Sequence, residues 1–265
     1  KAPEVERIRG LVSPHIDFQR GGAIYAEVWQ RAAEVVRRAE VAIILGTNHF
    51  DGRKLVALTR QSYSTPWGIL ATAGDVVDAV ASALGQDEVF ADELNHRKEH
   101  SVEAAAVWLH YLARDGKCEL VPILCGSFQG FIEGEVPPGE SEEILRFVDA
   151  VSNATAKRRT LIVAAGDLAH VGPAFGDYSP VGVLERADLS TADDELVAAI
   201  ARGDAEGLFQ MVKQEKDRRR ICGLSPIYLA LRLLGETSGE VTGYAQCPAD
   251  HQGTSFVSIC GIVLS

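Results

Sequence analysis

The sequence lacks the features that would direct it to a membrane or to nucleic acid. No apolar run approaches the roughly 20 residues that a membrane-spanning helix needs. Its 26 Lys and Arg are outnumbered by 37 Asp and Glu, giving a formal net charge of −11. This charge argues against nucleic acid or an anionic membrane surface as the main partner. The opening residues, KAPEVERIRG, have no apolar core of a signal peptide, which predicts a cytoplasmic protein.

Cysteine is scarce, and its distribution argues against a disulfide framework. The five cysteines are odd in number and lie far apart along the chain, which favours a reducing compartment. At least one thiol is therefore available as a ligand. The sequence also has no internal repeat, low-complexity tract or marked boundary, so we expect one domain over residues 1–265.

Short apolar runs alternate with amphipathic segments along the chain. Val41–Leu45 is a continuous apolar run of strand length, and residues 22–40 before it have helical periodicity. Further strands are predicted over 8–12, 118–125, 160–165, 239–247 and 254–264, and further helices over 74–84, 101–113, 141–155, 181–201, 204–215 and after residue 222. Hairpin structure is predicted over 55–72, with a turn at residues 65–68, and loops over 86–99 and 126–140. The alternation predicts an α/β layered sandwich with a central, mostly parallel or mixed sheet flanked by helices.

Polar residues that can act as ligands follow or precede four of these segments. They are His15 after the first strand, His49 after the second, Asp167 with His170 after 160–165, and Cys222 before a helix. Because the carboxyl ends of parallel strands lie along one edge of a sheet, we expect the first three groups to converge. Two imidazoles and a thiolate can hold a borderline metal ion and leave a position open for water or substrate.

Each of these residues also has an ordinary structural interpretation. A single histidine after a strand is more often hydrogen-bonded within a loop, and a free cysteine is usually a small buried hydrophobe. Asp167 could cap the next turn, or it could orient His170 as a general acid/base beside a metal. In EHSVE, His100 and Glu103 share one helix face and could bind a ligand. Alternatively, Ser101 caps that helix and the acidic side chains complement its first turn.

Five motifs in order, SPHIDF…GG, LGTNH, EHSVE, GDLAH and ICGLSPI, resemble those of the Memo family. Bacterial and archaeal members of that family are called AmmeMemoRadiSam system protein B. The resemblance runs from the first strand to the C-terminus and includes the YAQ segment at 244–246. It implies a fold similar to that of class III extradiol dioxygenases of the LigB type.

The resemblance also implies a role for each polar group. A metal ion would be held by His15, His49 and Cys222, with Asp167 and His170 beside it as the catalytic pair. The EHS motif falls on residues 99–101. The dioxygenases have a carboxylate where this chain has a thiolate, which argues against carrying over their chemistry.

The chain departs from the family pattern at the mouth of the implied pocket. Where the commoner HAGYxYSG form has two tyrosines, this chain has Phe18 and Arg20, and Leu224 stands where an arginine is frequent. Asp17 and Arg20 add charge there, and we expect them to contact a ligand that differs from that of the eukaryotic relatives.

Two functions from different classes remain open at this stage. The first is a redox or oxygen-linked metalloenzyme of unassigned substrate, with one iron or copper ion in a His/His/Cys centre, or a zinc hydrolase. The second is a binding or scaffold protein that uses the pocket to recognise a small molecule or a partner. The name of the prokaryotic branch implies a functional link to a radical-SAM protein. A degenerate pocket without a metal is a third option, and a homo-oligomer is compatible with the acidic composition.

Overall fold

The computed structural model describes residues 7–50, 54–113 and 118–265. The strands of this part of the chain are β1 (Gly10–Ser13), β2 (Val41–Thr47), β3 (Val56–Leu58), β4 (Tyr63–Thr65), β5 (Gly68–Leu70), β6 (Glu119–Cys125), β7 (Thr160–Ala165), β8 (His170–Val171), β9 (Gly239–Pro248) and β10 (Phe256–Leu264). Its helices are α1 (Phe18–Arg38), α2 (Gly74–Leu84), α3 (Gln86–Val89), α4 (Ser101–Ala113), α5 (Gln129–Glu133), α6 (Glu142–Thr155), α7 (Val183–Ala201), α8 (Ala205–Gln214) and α9 (Leu224–Leu234). None of these helices has the length and apolar character that crossing a bilayer requires.

Most of the strands belong to one mixed sheet, in the order β3-β6-β2-β7-β1-β10-β8, with β9 paired along β10. The neighbours β6, β2, β7 and β1 are parallel, whereas β3, β8, β9 and β10 are antiparallel to the strands they join. The strands β4 and β5 form a separate hairpin at the predicted turn. The predicted α/β fold, with a central mixed sheet flanked by helices, is therefore confirmed.

Helices cover both faces of the sheet, and the central strand β2 is buried along its whole length. Its Ile43 and Leu45 pack with residues of α2, α6, α8 and α9. Its Ala42 and Ile44 point the other way and pack with α1 and α4. A strand that is covered on both faces exposes neither face to solvent, which explains the continuous apolar run of β2. Each fully buried Ile or Leu contributes roughly 1.5–3 kcal/mol of transfer free energy.

The parallel strands end level with one another at one edge of the sheet. Ser13 of β1 pairs with Ala165 of β7, which also pairs with Gly46 near the end of β2. The candidate residues His15, His49 and Asp167 each lie two positions past the last residue of their strand. The register therefore brings these three residues to the same edge, as the strand pattern predicted.

Helix α1 begins one turn earlier than predicted. The helical periodicity over residues 22–40 predicts that the helix starts at the glycine pair, residues 21 and 22. The structure instead has Asp17 as the N-cap, accepting a hydrogen bond from the Arg20 amide at 3.0 Å. Gly21 lies inside the helix, where an added Cβ would be 2.6 Å from Ile16 Cγ2. The prediction of the start at Gly22 is therefore wrong, and the close packing on Ile16 explains the glycine.

The two segments predicted as loops contain short helices. The first holds α3, which buries Val89, and the second holds α5, which buries Ile132. The predicted capping role of Ser101 is also wrong, because Ser101 is the first residue of α4 and its Oγ donates to the Thr47 carbonyl at 2.9 Å. A buried side chain two residues earlier meets the first amides of α4 instead, as described below.

Candidate functional site

The turn after β1 places His15 in the interior with 2% of its surface exposed. Its Nδ1 lies 3.1 Å from the Ala165 carbonyl oxygen, which is an acceptor only, so Nδ1 carries the proton and Nε2 has a free lone pair. Burial lowers the pKa of His15 to about 4, against the pull of the nearby Asp167 charge. The 3.6 Å approach of Nε2 to the Asp167 carboxylate is therefore no ion pair at neutral pH.

The carboxylate of Asp167, just past β7, holds the backbone after β1. Its Oδ1 accepts from the amides of His15 at 2.8 Å and Ile16 at 3.3 Å. The ring of His170 is held separately, because its Nδ1 faces the carbonyl oxygens of Leu168 at 3.2 Å and Arg220 at 3.1 Å. Burial lowers the pKa of His170, and the charge of Asp167 opposes this shift. Asp167 thus acts on His170 through its field, while its hydrogen bonds go to the segment of His15.

His49 and His100 lie on the opposite side of His15, at the end of β2 and the start of α4. Their rings stack with centroids 5.0 Å apart and an angle of 17° between planes. Each meets the His15 ring edge-on, at 5.0 Å for His49 and 5.3 Å for His100. The Nδ1 atoms of both rings contact the carboxylate of Glu99, at 3.0 Å from His49 and 3.1 Å from His100. The hydrogen bond to Glu99 raises the pKa of His100, an effect that burial opposes.

Cys222 enters the site from the segment before α9. Its Sγ lies 3.3 Å from His15 Nε2 and 3.7 Å from the Asp167 carbonyl oxygen, and the thiol can donate to either. The Thr47 hydroxyl donates to the Cys222 carbonyl at 2.8 Å, and the Gly223 amide donates to the Asp167 carbonyl at 2.8 Å. Burial raises the pKa of the Cys222 thiol well above its usual range.

The side chains that can ligate a metal form two overlapping groups that share His15. In each group the ligand atoms lie within 4.8 Å of one another; one contains His15, His49 and His100, and the other contains His15, Asp167 and Cys222. The predicted set of His15, His49 and Cys222 is therefore divided between the two groups. Two ligands of one tetrahedral ion, with bonds near 2.0 Å to nitrogen and 2.3 Å to sulfur, lie about 3.5 Å apart. The 3.3 Å between His15 Nε2 and Cys222 Sγ fits that spacing.

The other residues predicted to contact a ligand lie in exposed positions with contacts of their own. Asp17 caps α1 and accepts from Arg20 Nε at 2.6 Å, while Arg20 Nη1 donates to the Pro248 carbonyl at 3.1 Å. Glu103 is exposed on α4, one turn from His100. Their predicted role in ligand binding remains a prediction.

Sequence patterns did not reveal how central Glu99 is. For an acidic residue beside a helix start, the pattern also predicts a charge that complements the first turn, which is the common case. The signal that could have singled it out is its position between two candidate histidines, directly before His100 and in a segment that returns to β2. The backbone carbonyl of Arg220, which contacts Nδ1 of His170 at 3.1 Å, also has no signal in the sequence.

Fold and site together define an α/β protein with imidazoles, a thiol and carboxylates clustered at the carboxyl edge of a mixed sheet. A family model described as Memo-like protein matches residues 1–263. The chain belongs to the Memo family.

Curated relatives carry the same family name in archaea and bacteria. A MEMO1 family protein of Methanosarcina barkeri is 24% identical over 243 residues, which cover 90% of this chain and 79% of that protein. One from Methanococcoides burtonii is 28% identical over 90% of this chain and 83% of its own length. One from Aquifex aeolicus is 24% identical over 99% of this chain and 65% of its own length.

Proposed function

We propose that this member of the Memo family binds one metal ion through His15, His49 and Cys222 and uses it in a redox or oxygen-linked reaction. The observation that carries this proposal is a set of three adjacent imidazoles whose Nδ1 atoms are all engaged by acceptors, with the Cys222 thiol 3.3 Å from Nε2 of one of them, His15. The Ala165 carbonyl engages His15, and Glu99 engages His49 and His100. Histidines that ligate metals in proteins commonly have such a second partner, which fixes the ring and leaves Nε2 for the ion.

The donor chemistry indicates which metal would fit. A thiolate with imidazoles favours iron, copper or zinc over magnesium or calcium, which prefer oxygen ligands. Among these, we favour iron or copper, because thiolate ligation suits a softer, redox-active metal. Zinc would instead support hydrolysis of a bound substrate. His100 and Asp167 lie beside the three ligands and could complete the coordination, as the two groups that share His15 indicate.

A bound redox metal would supply electron transfer, and the chain itself would supply the proton handling. His170 has its Nδ1 proton directed at two backbone carbonyls, so its Nε2 is free to accept a proton from a substrate. Asp167 would then stabilise the charged ring through its field, since its charge opposes the lowering of the His170 pKa by burial. We propose His170 as the general acid/base and Asp167 as the residue that tunes it.

One observation favours a second candidate, a non-catalytic binding or accessory role. Burial raises the pKa of the Cys222 thiol, and that thiol lies at hydrogen-bonding distance from His15 Nε2. The two groups can therefore satisfy each other without a metal ion. In this case the pocket would recognise a small molecule or a partner, and the functional link to a radical-SAM protein that the family resemblance implies would belong here.

The test is metal analysis of the protein purified without oxygen. We expect stoichiometric iron or copper in the wild type, and loss of that metal in His49→Ala and Cys222→Ala. The matched controls are His251→Ala, at an exposed histidine, and Cys118→Ala, at a buried cysteine directly before β6, and both should retain the metal. Metal retained in both site variants, or a wild type that takes up none of these metals, would contradict the metal centre and favour the binding role.

A further inference from the structure

A single buried carboxylate holds the imidazole side of the site together. The side chain of Glu99 is 1% exposed. Its Oε2 accepts from the His49 amide at 2.9 Å, and its Oε1 accepts from the amides of His100 at 2.8 Å and Ser101 at 3.1 Å. The same carboxylate contacts Nδ1 of His49 and Nδ1 of His100. Three backbone amides and two rings thus meet on two oxygen atoms.

These contacts fix where the ring protons lie. Both oxygens of Glu99 are occupied as acceptors by backbone amides, Oε2 by His49 and Oε1 by His100 and Ser101, which is the pattern of an ionised carboxylate. An ionised carboxylate can only accept hydrogen bonds. Each Nδ1 that faces it must therefore carry a proton, and each neutral ring keeps its lone pair on Nε2.

We propose that Glu99 is a positioning residue that locks His49 and His100 in the Nδ1-protonated tautomer and leaves both Nε2 lone pairs available to a ligand. Because Glu99 also accepts from the first amides of α4, it ties the orientation of both rings to the start of that helix. The strand end at His49 and the helix start at His100 are thereby held in one geometry.

The other two rings near the site give an internal contrast. Backbone carbonyls hold Nδ1 of His15 and Nδ1 of His170, so their tautomers do not depend on Glu99. Removing the charge of Glu99 should therefore change the tautomers of His49 and His100 and leave those of His15 and His170 unchanged. A general loss of structure would instead disturb all four rings together, which makes the contrast diagnostic.

The substitution Glu99→Gln keeps the shape of the side chain but cannot keep all of its hydrogen bonds. Both oxygens of Glu99 accept from backbone amides, Oε2 from His49 and Oε1 from His100 and Ser101. Whichever way the glutamine amide is turned, its NH₂ group faces an N–H donor, and one set of contacts is lost. We therefore expect the rings of His49 and His100 to leave the fixed tautomer in this variant.

The experiment is ¹⁵N NMR of the histidine rings in the metal-free protein, at a pH high enough to leave the rings neutral. We expect Nδ1–H signals for His49 and His100 in the wild type and mixed tautomers in Glu99→Gln. His15 and His170 should stay Nδ1-protonated in both proteins. The matched control Glu195→Gln, at an exposed carboxylate of α7, should resemble the wild type. An Nε2–H tautomer for His49 or His100 in the wild type would overturn the proposal without any variant, as would a Glu99→Gln spectrum unchanged from the wild type.

The consequence for metal affinity rests on the proposed function, whereas the tautomer assignment does not. Loss of a residue that orients metal ligands weakens metal binding by about 10- to 100-fold. We expect that loss for Zn²⁺ titrated into Glu99→Gln, and wild-type affinity in Glu195→Gln. A wild type that binds no metal but has the fixed tautomers would contradict only the metal centre. A wild type that binds metal with mixed tautomers would contradict only the role of Glu99.

Discussion

The two sides of the site are held by different means. On the imidazole side, formed by His49, Glu99 and His100, one buried charge holds both rings. On the thiol side, formed by Cys222 and residues 215–221, backbone geometry positions the reactive atom. A side held by charge responds to the replacement of a single carboxylate. A side held by backbone geometry responds to an added Cβ or to a changed φ angle.

The backbone of the thiol side includes three non-glycine residues with positive φ, which are Lys216 at 56°, Asp217 at 50° and Arg220 at 54°. This left-handed conformation costs an L-residue about 1–2 kcal/mol. Local hydrogen bonds offset the cost: Asp217 Oδ1 accepts from the Ile221 amide at 2.8 Å, and the His170 amide donates to the Arg219 carbonyl at 2.7 Å.

The largest effect is expected where two backbone segments touch behind Cys222. A Cβ added at Gly223 would lie 2.6 Å from the Asp167 carbonyl oxygen and 3.1 Å from Gly166 Cα, and backbone atoms cannot easily retreat. We expect Gly223→Ala to lower the free energy of unfolding by about 3 kcal/mol, the upper end for overpacking. Urea denaturation measures the loss.

The matched control for this substitution is Gly74→Ala, at the first residue of α2. An added Cβ there meets no atom within 4 Å, so we expect no loss of stability. A Gly223→Ala protein as stable as the wild type would mean that the thiol side yields to an added side chain. The contrast between the two sides would then fail.

A smaller effect on the free energy of unfolding is expected at acid pH, and it has opposite signs for the rings of His15 and His100. The folded pKa of His15 is lowered from 6.5 to about 4, so below pH 6.5 the unfolded chain binds a proton that the folded chain does not. This group therefore removes stability as the pH falls from 6.5 towards 4, by about 2 kcal/mol at pH 5. His15→Asn should make the acid loss of unfolding free energy less steep in the metal-free protein.

The ring of His100 should act in the other direction. Its folded pKa is raised by Glu99, so its contribution to stability is present below the unfolded pKa and is lost as the pH rises through the folded pKa. Removing it in His100→Asn should make the acid loss steeper. Denaturation at pH 7.5 and pH 5 compares the three proteins, and equal slopes in all of them would contradict the assignment of the two rings.

The sequence predicted the parts of the site that depend on strand ends. The sequence predicts that His15, His49 and Asp167 lie close together, because apolar runs mark the strands and parallel strands end at one edge of the sheet. Cys222 was predicted as a site residue from its position before a helix and from the family motifs. Both kinds of inference use patterns that are local in the sequence, and both led to residues that the structure brings together.

The buried carboxylate of Glu99 and the left-handed residues of the thiol side could not be predicted, because they depend on contacts between distant segments. Glu99 is buried where α4 packs closely on β2, so closely that a Cβ at Gly46 would be 2.5 Å from Ser101 Oγ. The left-handed residues of the thiol side are a lysine, an aspartate and an arginine, none of which signals a positive φ as glycine does. The hydrogen bond from the His170 amide to the Arg219 carbonyl joins this segment to a distant one, which no local pattern contains.

The smallest predicted effect tests whether the thiol side stores backbone strain. Lys216 is exposed and has a φ of 56°, so Lys216→Gly should relieve about 1–2 kcal/mol of left-handed strain while losing about 0.5–1 kcal/mol to the greater freedom of the unfolded chain. We expect a net gain of about 0.5 kcal/mol in the free energy of unfolding. Lys157→Gly, at an exposed lysine outside the positive-φ set, should instead lose stability. If both variants lose stability equally, residue 216 carries no strain, and the thiol side is held by its hydrogen bonds alone.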